Sequence, residues 1–248
     1  MDVDLSGRVV AVTGASSGIG EATAMACAKA GAAVSLAARR LDRIEDLAER
    51  ITGDGGTALA VQTDVGDEQE AQRFIERTAA DLGRLDVLVN NAGVMLLGPI
   101  AGADTEEWRR MIDANVYGVL YCTHAALPLM LEQGSGHVVT ISSVAGRFAR
   151  AGGGVYNLTK FGVGAFSEAL RQEVAPQGIR VTLIEPGFVA TELQSHNRPE
   201  IQDAIRNILK DDEPLRAEDI ANGILYAIGS PENVAVNEVL IRPSGQVR

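Results

Sequence analysis

The sequence predicts an α/β protein: an open, doubly wound parallel sheet of about seven strands with helices on both faces. Three observations predict it. Short runs rich in Val, Ile and Leu alternate with longer amphipathic stretches along the 248 residues. The runs are nearly continuous in apolar character, as strands buried on both faces require. A glycine-rich turn lies between the first run and the first amphipathic stretch, where a parallel α/β sheet places its ligand loop.

The strands are expected at Arg8–Thr13, Ala33–Ala38, Thr57–Gln62, Leu85–Asn90, His137–Ser142, Arg180–Glu185 and Val236–Arg242. Helices fill the gaps at Ile19–Ala30, Asp42–Ile51, Glu68–Leu82, Thr105–Glu132, Val155–Ala175 and Ala217–Ile228. The stretch Asp104-Thr105-Glu106-Glu107 supplies a capping side chain followed by acids in a first turn. There is no linker, low-complexity tract or internal repeat, so residues 1–248 read as one domain, with a substrate-loop insertion near 188–215 where polar residues cluster.

Composition removes several function classes. The net charge of −11 argues against nucleic acid or an anionic membrane surface as partner. No apolar run is long enough to span a bilayer, and the acidic start Met1-Asp2-Val3-Asp4 has no secretory pattern. A cytoplasmic protein is expected. Cys27 and Cys122 sit in Ala-rich helical stretches and read as small buried hydrophobes. The three histidines are scattered, so no metal site is expected.

The loop after the first strand is Thr13-Gly14-Ala15-Ser16-Ser17-Gly18-Ile19-Gly20. Its glycines let backbone approach a pyrophosphate, and the helix that it opens offers free N–H groups and a positive dipole end. This is a Rossmann-type dinucleotide site. In such sites an acid at the end of the second strand binds the ribose 2′-OH. Here the stretch is Ala37-Ala38-Arg39-Arg40. Two guanidinium groups in place of an acid suit a 2′-phosphate. NADP(H) is therefore the expected cofactor, with Arg39 leading.

Tyr156 and Lys160 are spaced i, i+4 at a helix start, so their side chains share a face. An ammonium beside a phenol favours phenolate and is expected to lower the tyrosine pKa toward the working range. Tyr156 then exchanges a proton with a carbonyl or alcohol oxygen. Ser142-Ser143 lies at the carboxyl end of the fifth strand, where ligands of parallel sheets bind, and Ser143 is a candidate donor to the same oxygen.

These motifs, in this order and over essentially the whole chain, resemble the short-chain dehydrogenase/reductase family of about 250 residues. Gly14, Gly18 and Gly20 match its cofactor loop, Tyr156 to Lys160 its YxxxK, and Ser143 its serine thirteen residues earlier. The resemblance implies further sites. Asp64 and Val65 match its adenine-binding pair. Asn91, Ala92 and Gly93, within Asn90-Asn91-Ala92-Gly93, match its NNAG segment. Pro186, Gly187, Val189 and Thr191 match the segment over the nicotinamide. Asn115 matches the helix asparagine that links the lysine to solvent. By this likeness Ser143 orients the substrate oxygen, Lys160 binds the ribose and tunes Tyr156, hydride leaves the pro-S face, and the chain assembles as a homodimer or homotetramer. One departure bears on the cofactor: many NADPH members carry a basic residue before the second loop glycine, where this chain has Ser17. The phosphate would then rest on Arg39 and Arg40 with the Ser16 or Ser17 hydroxyl.

Substrate contacts are expected from Val94–Pro99, Val144–Tyr156 and the 188–215 insertion, with Arg147 and Arg150 as candidates for an anionic group. Gly93–Pro99, Phe161-Gly162-Val163 and Glu238–Pro243 are similar to a bacterial subgroup that includes the reductase converting clavulanate-9-aldehyde to clavulanic acid, which implies a small aldehyde or ketone. Two alternatives stay open: an NAD-dependent alcohol dehydrogenase of the same family, and a nucleotide-binding regulator without catalysis.

Overall fold

The computed structural model describes residues 3–208 and 213–247; Met1, Asp2, 209–212 and Arg248 lie outside the described residues, so residues 209–212 of the expected 188–215 insertion do as well. Seven strands form one parallel sheet: β1 (Val9–Thr13), β2 (Ala33–Ala38), β3 (Thr57–Gln62), β4 (Val87–Asn90), β5 (Gly136–Ile141), β6 (Ile179–Pro186) and β7 (Glu238–Ile241). Their spatial order is β3-β2-β1-β4-β5-β6-β7. The order reverses between β1 and β4, which pair in parallel from Val10↔Val87 to Val12↔Val89. Chains leaving these two strands turn to opposite sides, and a crevice opens beyond Thr13 and Asn90.

Successive residues of one strand point to opposite faces, and both faces are dry. Val10 and Val12 of β1 join a core with Val34, Leu36, Ala24 of α1 (Gly18–Lys29), Ile44 of α2 (Leu41–Gly53) and Ile224 of α8 (Ala217–Ile228). Ala11 between them faces a second core, built with Phe74 and Ile75 of α3 (Glu68–Leu82), Met130 of α5 (Gly118–Gln133) and Leu170 of α6 (Gly154–Val174). This is why the strand sequences are continuously apolar. Cys27 and Cys122 are free and fully buried, one in each core, and burial pushes each thiol up to about 12.

Two expectations about helices need correction. The stretch Thr105–Glu132 is not one α-helix. It is α4 (Thr105–Ile112), a π-helical turn (Asp113–Tyr117) and α5. Asn115 lies in that turn and its side chain bonds outside it, to Val94 and Thr159, and a one-residue widening there leaves helical composition unchanged. The 188–215 segment is not merely a loop. It contains a 3₁₀ turn (Glu192–His196) and α7 (Pro199–Ile208). Among the described residues no helix is long and apolar enough to cross a membrane.

Candidate active site

One cleft of about 780 Å³ runs along the carboxyl ends of β1, β2, β4, β5 and β6. It joins the glycine loop, the Arg39-Arg40 pair, Asp64, Val65, the Asn91-Ala92-Gly93 segment, Ser143, Tyr156, Lys160 and the Pro186–Thr191 segment. Every residue expected to hold the cofactor or do the chemistry therefore lines it, except Gly20 and Asn115, which stand behind.

The glycine loop is shaped by contacts that no side chain would permit. Gly14 has φ +65, and an added Cβ would lie 2.8 Å from the Ala92 backbone. Gly18 has φ +58, with the Thr191 methyl 3.0 Å from that position. A Cβ on Gly20 would lie 2.3 Å from the Gly14 carbonyl oxygen. β4 anchors the loop from beneath: Asn91 Nδ2 donates to the Thr13 carbonyl at 2.9 Å, and Thr13 Oγ1 accepts from the Asn91 and Ala92 amides at 3.0 Å each. Ser17 caps α1 in extended backbone without a side-chain bond to the helix, which leaves the first N–H groups facing the cleft.

The Ser17 hydroxyl is engaged elsewhere. Arg40 donates to it at 2.9 Å, and to Ser16 Oγ at 2.9 and 3.2 Å. A guanidinium from the end of β2 thus stands over the loop position that lacks a basic side chain. Arg40 also meets Glu192 Oε2 at 2.9 Å, while Arg43 meets Glu192 Oε1 at 2.8 Å. The arginines hold the Glu192 carboxyl down at about 2, Arg43 contributing most. Arg39 lines the cleft with an exposed side chain. Arg40 makes the loop contacts, because its side chain turns back across Ser16 and Ser17. Bare glycine backbone, a free helix N-terminus and guanidinium groups at the ribose end fit a dinucleotide phosphate. Beyond β3, Val65 is buried against Gly118, and Asp64 Oδ1 accepts from the Gly66 amide at 3.0 Å.

At the other end, Tyr156 and Lys160 are each 7% exposed, one turn apart on α6. The turn after β5 brings Ser143 to them. Its hydroxyl accepts from the Ala145 amide at 3.1 Å and donates to the Pro186 carbonyl at 3.4 Å, and it lies close enough to Tyr156 to bear on the phenol. Lys160 Nζ donates to the Ile141 carbonyl at 2.8 Å and lies 5.8 Å from the Tyr156 ring centre. Asn115 donates to the Val94 carbonyl at 2.9 Å and to Thr159 Oγ1 at 3.1 Å, and accepts from the Val94 amide at 2.8 Å. It fixes the residue next to Lys160 and makes no direct bond to the lysine.

The expected lowering of the Tyr156 pKa is corrected. Burial pushes the phenol up to about 12, against a smaller lowering from Ser143. Burial likewise pushes Lys160 down to about 8. In this dry pocket each group favours its neutral form, and the ammonium, held on a carbonyl, does not outweigh desolvation.

The substrate end is mainly apolar, with Met95, Leu97, Phe148, Leu193 and Ile201 on the wall. Leu96 points into a small core with Met111 instead. Arg147 is turned away: its Nε donates to the buried Glu185 at 2.7 Å, and it also pairs with Glu238, so it is removed from the substrate candidates. Arg150 stays at the cleft, its guanidinium 5.1 Å from the centre of the Phe148 ring.

Several residues here carried no sequence signal. Asn157 Nδ2 ties down the Ala145 and Phe148 carbonyls at 2.7 and 3.0 Å. Buried Asn197 accepts from the Leu97 amide at 2.7 Å, and Arg198 pairs with Glu107 at 3.0 Å. Together with Glu192 they fasten the segment after Thr191 across the cleft. The Tyr156–Asn157 adjacency was visible, but the partners of these residues are remote in sequence.

Residues 8–202 match the short chain dehydrogenase family. The chain belongs to it. Membership makes this protein an oxidoreductase. It is 45% identical over 244 residues to glycine betaine reductase ATRR of Emericella nidulans, covering 96% of this chain and 19% of that protein. The chain thus spans about a fifth of that relative's length. It is 43% identical to an uncharacterized oxidoreductase of Staphylococcus saprophyticus, covering 96% of this chain and 97% of that one. Among solved structures, the closed form of a serine dehydrogenase complexed with NADP+ superposes with TM-score 0.90 at 33% identity, covering 97% of each chain. This short chain dehydrogenase therefore has an NADP-bound structural neighbour of matching length.

Proposed function

We propose that this short chain dehydrogenase uses NADP(H) to reduce a small aldehyde or ketone to the alcohol, or runs the reverse reaction. The observation that carries the proposal is the single cleft, with a guanidinium on the Ser16 and Ser17 hydroxyls at one end and Ser143, Tyr156 and Lys160 converging at the other. Bound there, NADP(H) supplies or accepts the hydride. The loop amides and Arg40, with Arg39, hold its phosphates, and Lys160 holds the ribose.

Ser143 donates to the substrate oxygen and orients it. Tyr156, with its proton held at neutral pH, gives that proton to the oxygen as negative charge develops. A phenol raised to about 12 by burial keeps its proton at neutral pH, as the acid role in reduction requires. Lys160, lowered to about 8, is near its titration point and takes up or releases a proton readily beside Tyr156. Asn115 and Asn157 position this group from behind. The apolar wall favours a compact, uncharged substrate, in keeping with the likeness to the clavulanate-9-aldehyde reductase subgroup.

The chain acts as one unit in this reading, with residues 188–208 covering substrate, in a cytoplasmic setting. We also propose a homodimer or homotetramer. Leu158 (64% exposed) and Phe161 (44%), one turn apart on α6, present exposed apolar side chains. Light scattering should show a mass above that of one chain at micromolar concentration; a monomer would overturn this part.

The main test is NADPH consumption with a panel of small aldehydes and ketones. Turnover of at least one carbonyl, faster with NADPH than NADH, is expected. Tight NADPH binding with no turnover on any carbonyl would favour a regulator, and faster alcohol oxidation with NAD would favour the NAD-dependent alternative.

A further inference from the structure

Resting on the NADP(H) reading, we infer that Glu192 is a cofactor-specificity residue: an internal anion that competes with a 2′-phosphate for the guanidinium groups of Arg40 and Arg43. Glu192 lies 152 positions from Arg40, on the segment that crosses the cleft. Its carboxylate spans two arginines, Oε2 on Arg40 and Oε1 on Arg43. A bridging oxyanion uses guanidinium groups in this way, and a ribose phosphate would present the same chemistry.

The donor inventory shows the competition. Arg40 commits its Nε and Nη2 hydrogens to Ser16 and Ser17 and its Nη1 to Glu192. Glu192 takes one of the two Nη1 hydrogens of Arg40 and one of Arg43, so a phosphate seated on these two arginines competes with it. A carboxylate left beside a phosphate dianion would be repelled. Glu192 is also placed by packing rather than by side-chain reach alone. The neighbouring Thr191 methyl lies against Gly18, and Glu192 begins the 3₁₀ turn that Thr191 caps. The consequence is selective: Glu192 weakens ligands that need the arginines and leaves ligands without a 2′-phosphate alone.

The experiment is calorimetric titration of the full chain, free of cofactor, with adenosine 2′,5′-bisphosphate and with AMP at fixed ionic strength. The wild type should bind the bisphosphate more tightly than AMP. Glu192→Gln keeps the shape and removes the charge. It should tighten the bisphosphate by about three- to tenfold, the scale of two exposed ion pairs, and leave AMP within about twofold. In an Arg40→Gln background the Glu192→Gln gain should shrink. Because Glu192 is an exposed side chain, the variant is expected to fold; thermal unfolding would check this. Unchanged or weaker bisphosphate binding in Glu192→Gln, with the wild type still discriminating, would overturn the inference and leave the cofactor reading standing. Equal tightening of both ligands would also overturn it, since that marks general opening of the cleft. A wild type that does not distinguish the bisphosphate from AMP would overturn both.

Discussion

The two ends of the cleft are built in opposite ways. At the Tyr156 end the polar groups are buried and held by backbone: Lys160 on the Ile141 carbonyl, Ser143 on the Ala145 amide and Pro186 carbonyl, Asn115 on both polar atoms of Val94. At the arginine end the links are side chain to side chain, between Arg40 and Glu192 at 43% and 42% exposure. Buried bonds of the first kind are costly to break, whereas exposed ion pairs contribute about 0–1 kcal/mol. In the function proposed above, the contrast gives rigid positioning to the end that would react and exchangeable contacts to the end that would choose the cofactor.

The largest effect should come from breaking the rigid end. Tyr156→Phe removes the proton donor while keeping the ring, and should lower kcat for carbonyl reduction by about 10²–10⁴-fold, with NADPH affinity unchanged. Steady-state kinetics beside fluorescence titration would check this. Next is the exchangeable end. Arg40→Gln should lower kcat/KM with NADPH by about ten- to a hundredfold and leave NADH within about twofold, as loss of charge-assisted bonds requires. Arg39→Asp should move the same ratio in the same direction; an unmoved ratio would remove Arg39 from the site.

Lys160 sharpens the comparison through stability. Its folded pKa is depressed from 10.5 to about 8, so the unfolded chain binds the extra proton between those values. The burden is full below about pH 8 and fades as pH rises toward 10.5. Lys160→Met should therefore lose stability relative to wild type, by on the order of 1–3 kcal/mol, as pH rises from about 8 to 10.5, while the Ile141 carbonyl it leaves unpaired is a cost at every pH. Melting curves across that range would show it, and a difference between the two that does not change with pH would contradict it. The smallest effect is expected from Asn197→Ala, which frees the Leu97 amide. KM should rise by about two- to fivefold with kcat nearly kept, at a stability cost of about 1 kcal/mol.

The sheet was legible because its inner strands are buried on both faces and so carry nearly continuous apolar runs. Ala33–Ala38 and Thr57–Gln62 have the expected bounds, and Glu68–Leu82 is delimited by Asp67, which caps it through the Glu70 amide, and by left-handed Gly83. The residues of the cleft were legible where chemistry is local, as in the i, i+4 pair of Tyr156 and Lys160. The π-helical turn was not, since widening one turn changes no residue preference. Nor was α7, a polar amphipathic helix within a segment that reads as loop. The Tyr156 pKa depends on how dry its pocket is, which no spacing encodes. The Arg40–Glu192 pair depends on the chain returning across the cleft after some 150 residues.

The division between the two ends is tested most directly by kcat/KM for NADPH and NADH in wild type, Tyr156→Phe, Arg40→Gln and the double variant. If the ends act separately, Tyr156→Phe lowers both cofactors by the same factor, Arg40→Gln changes only their ratio, and the effects add within about 0.5 kcal/mol. A Tyr156→Phe enzyme that keeps its turnover, or an Arg40→Gln enzyme that loses both cofactors equally, would contradict the account.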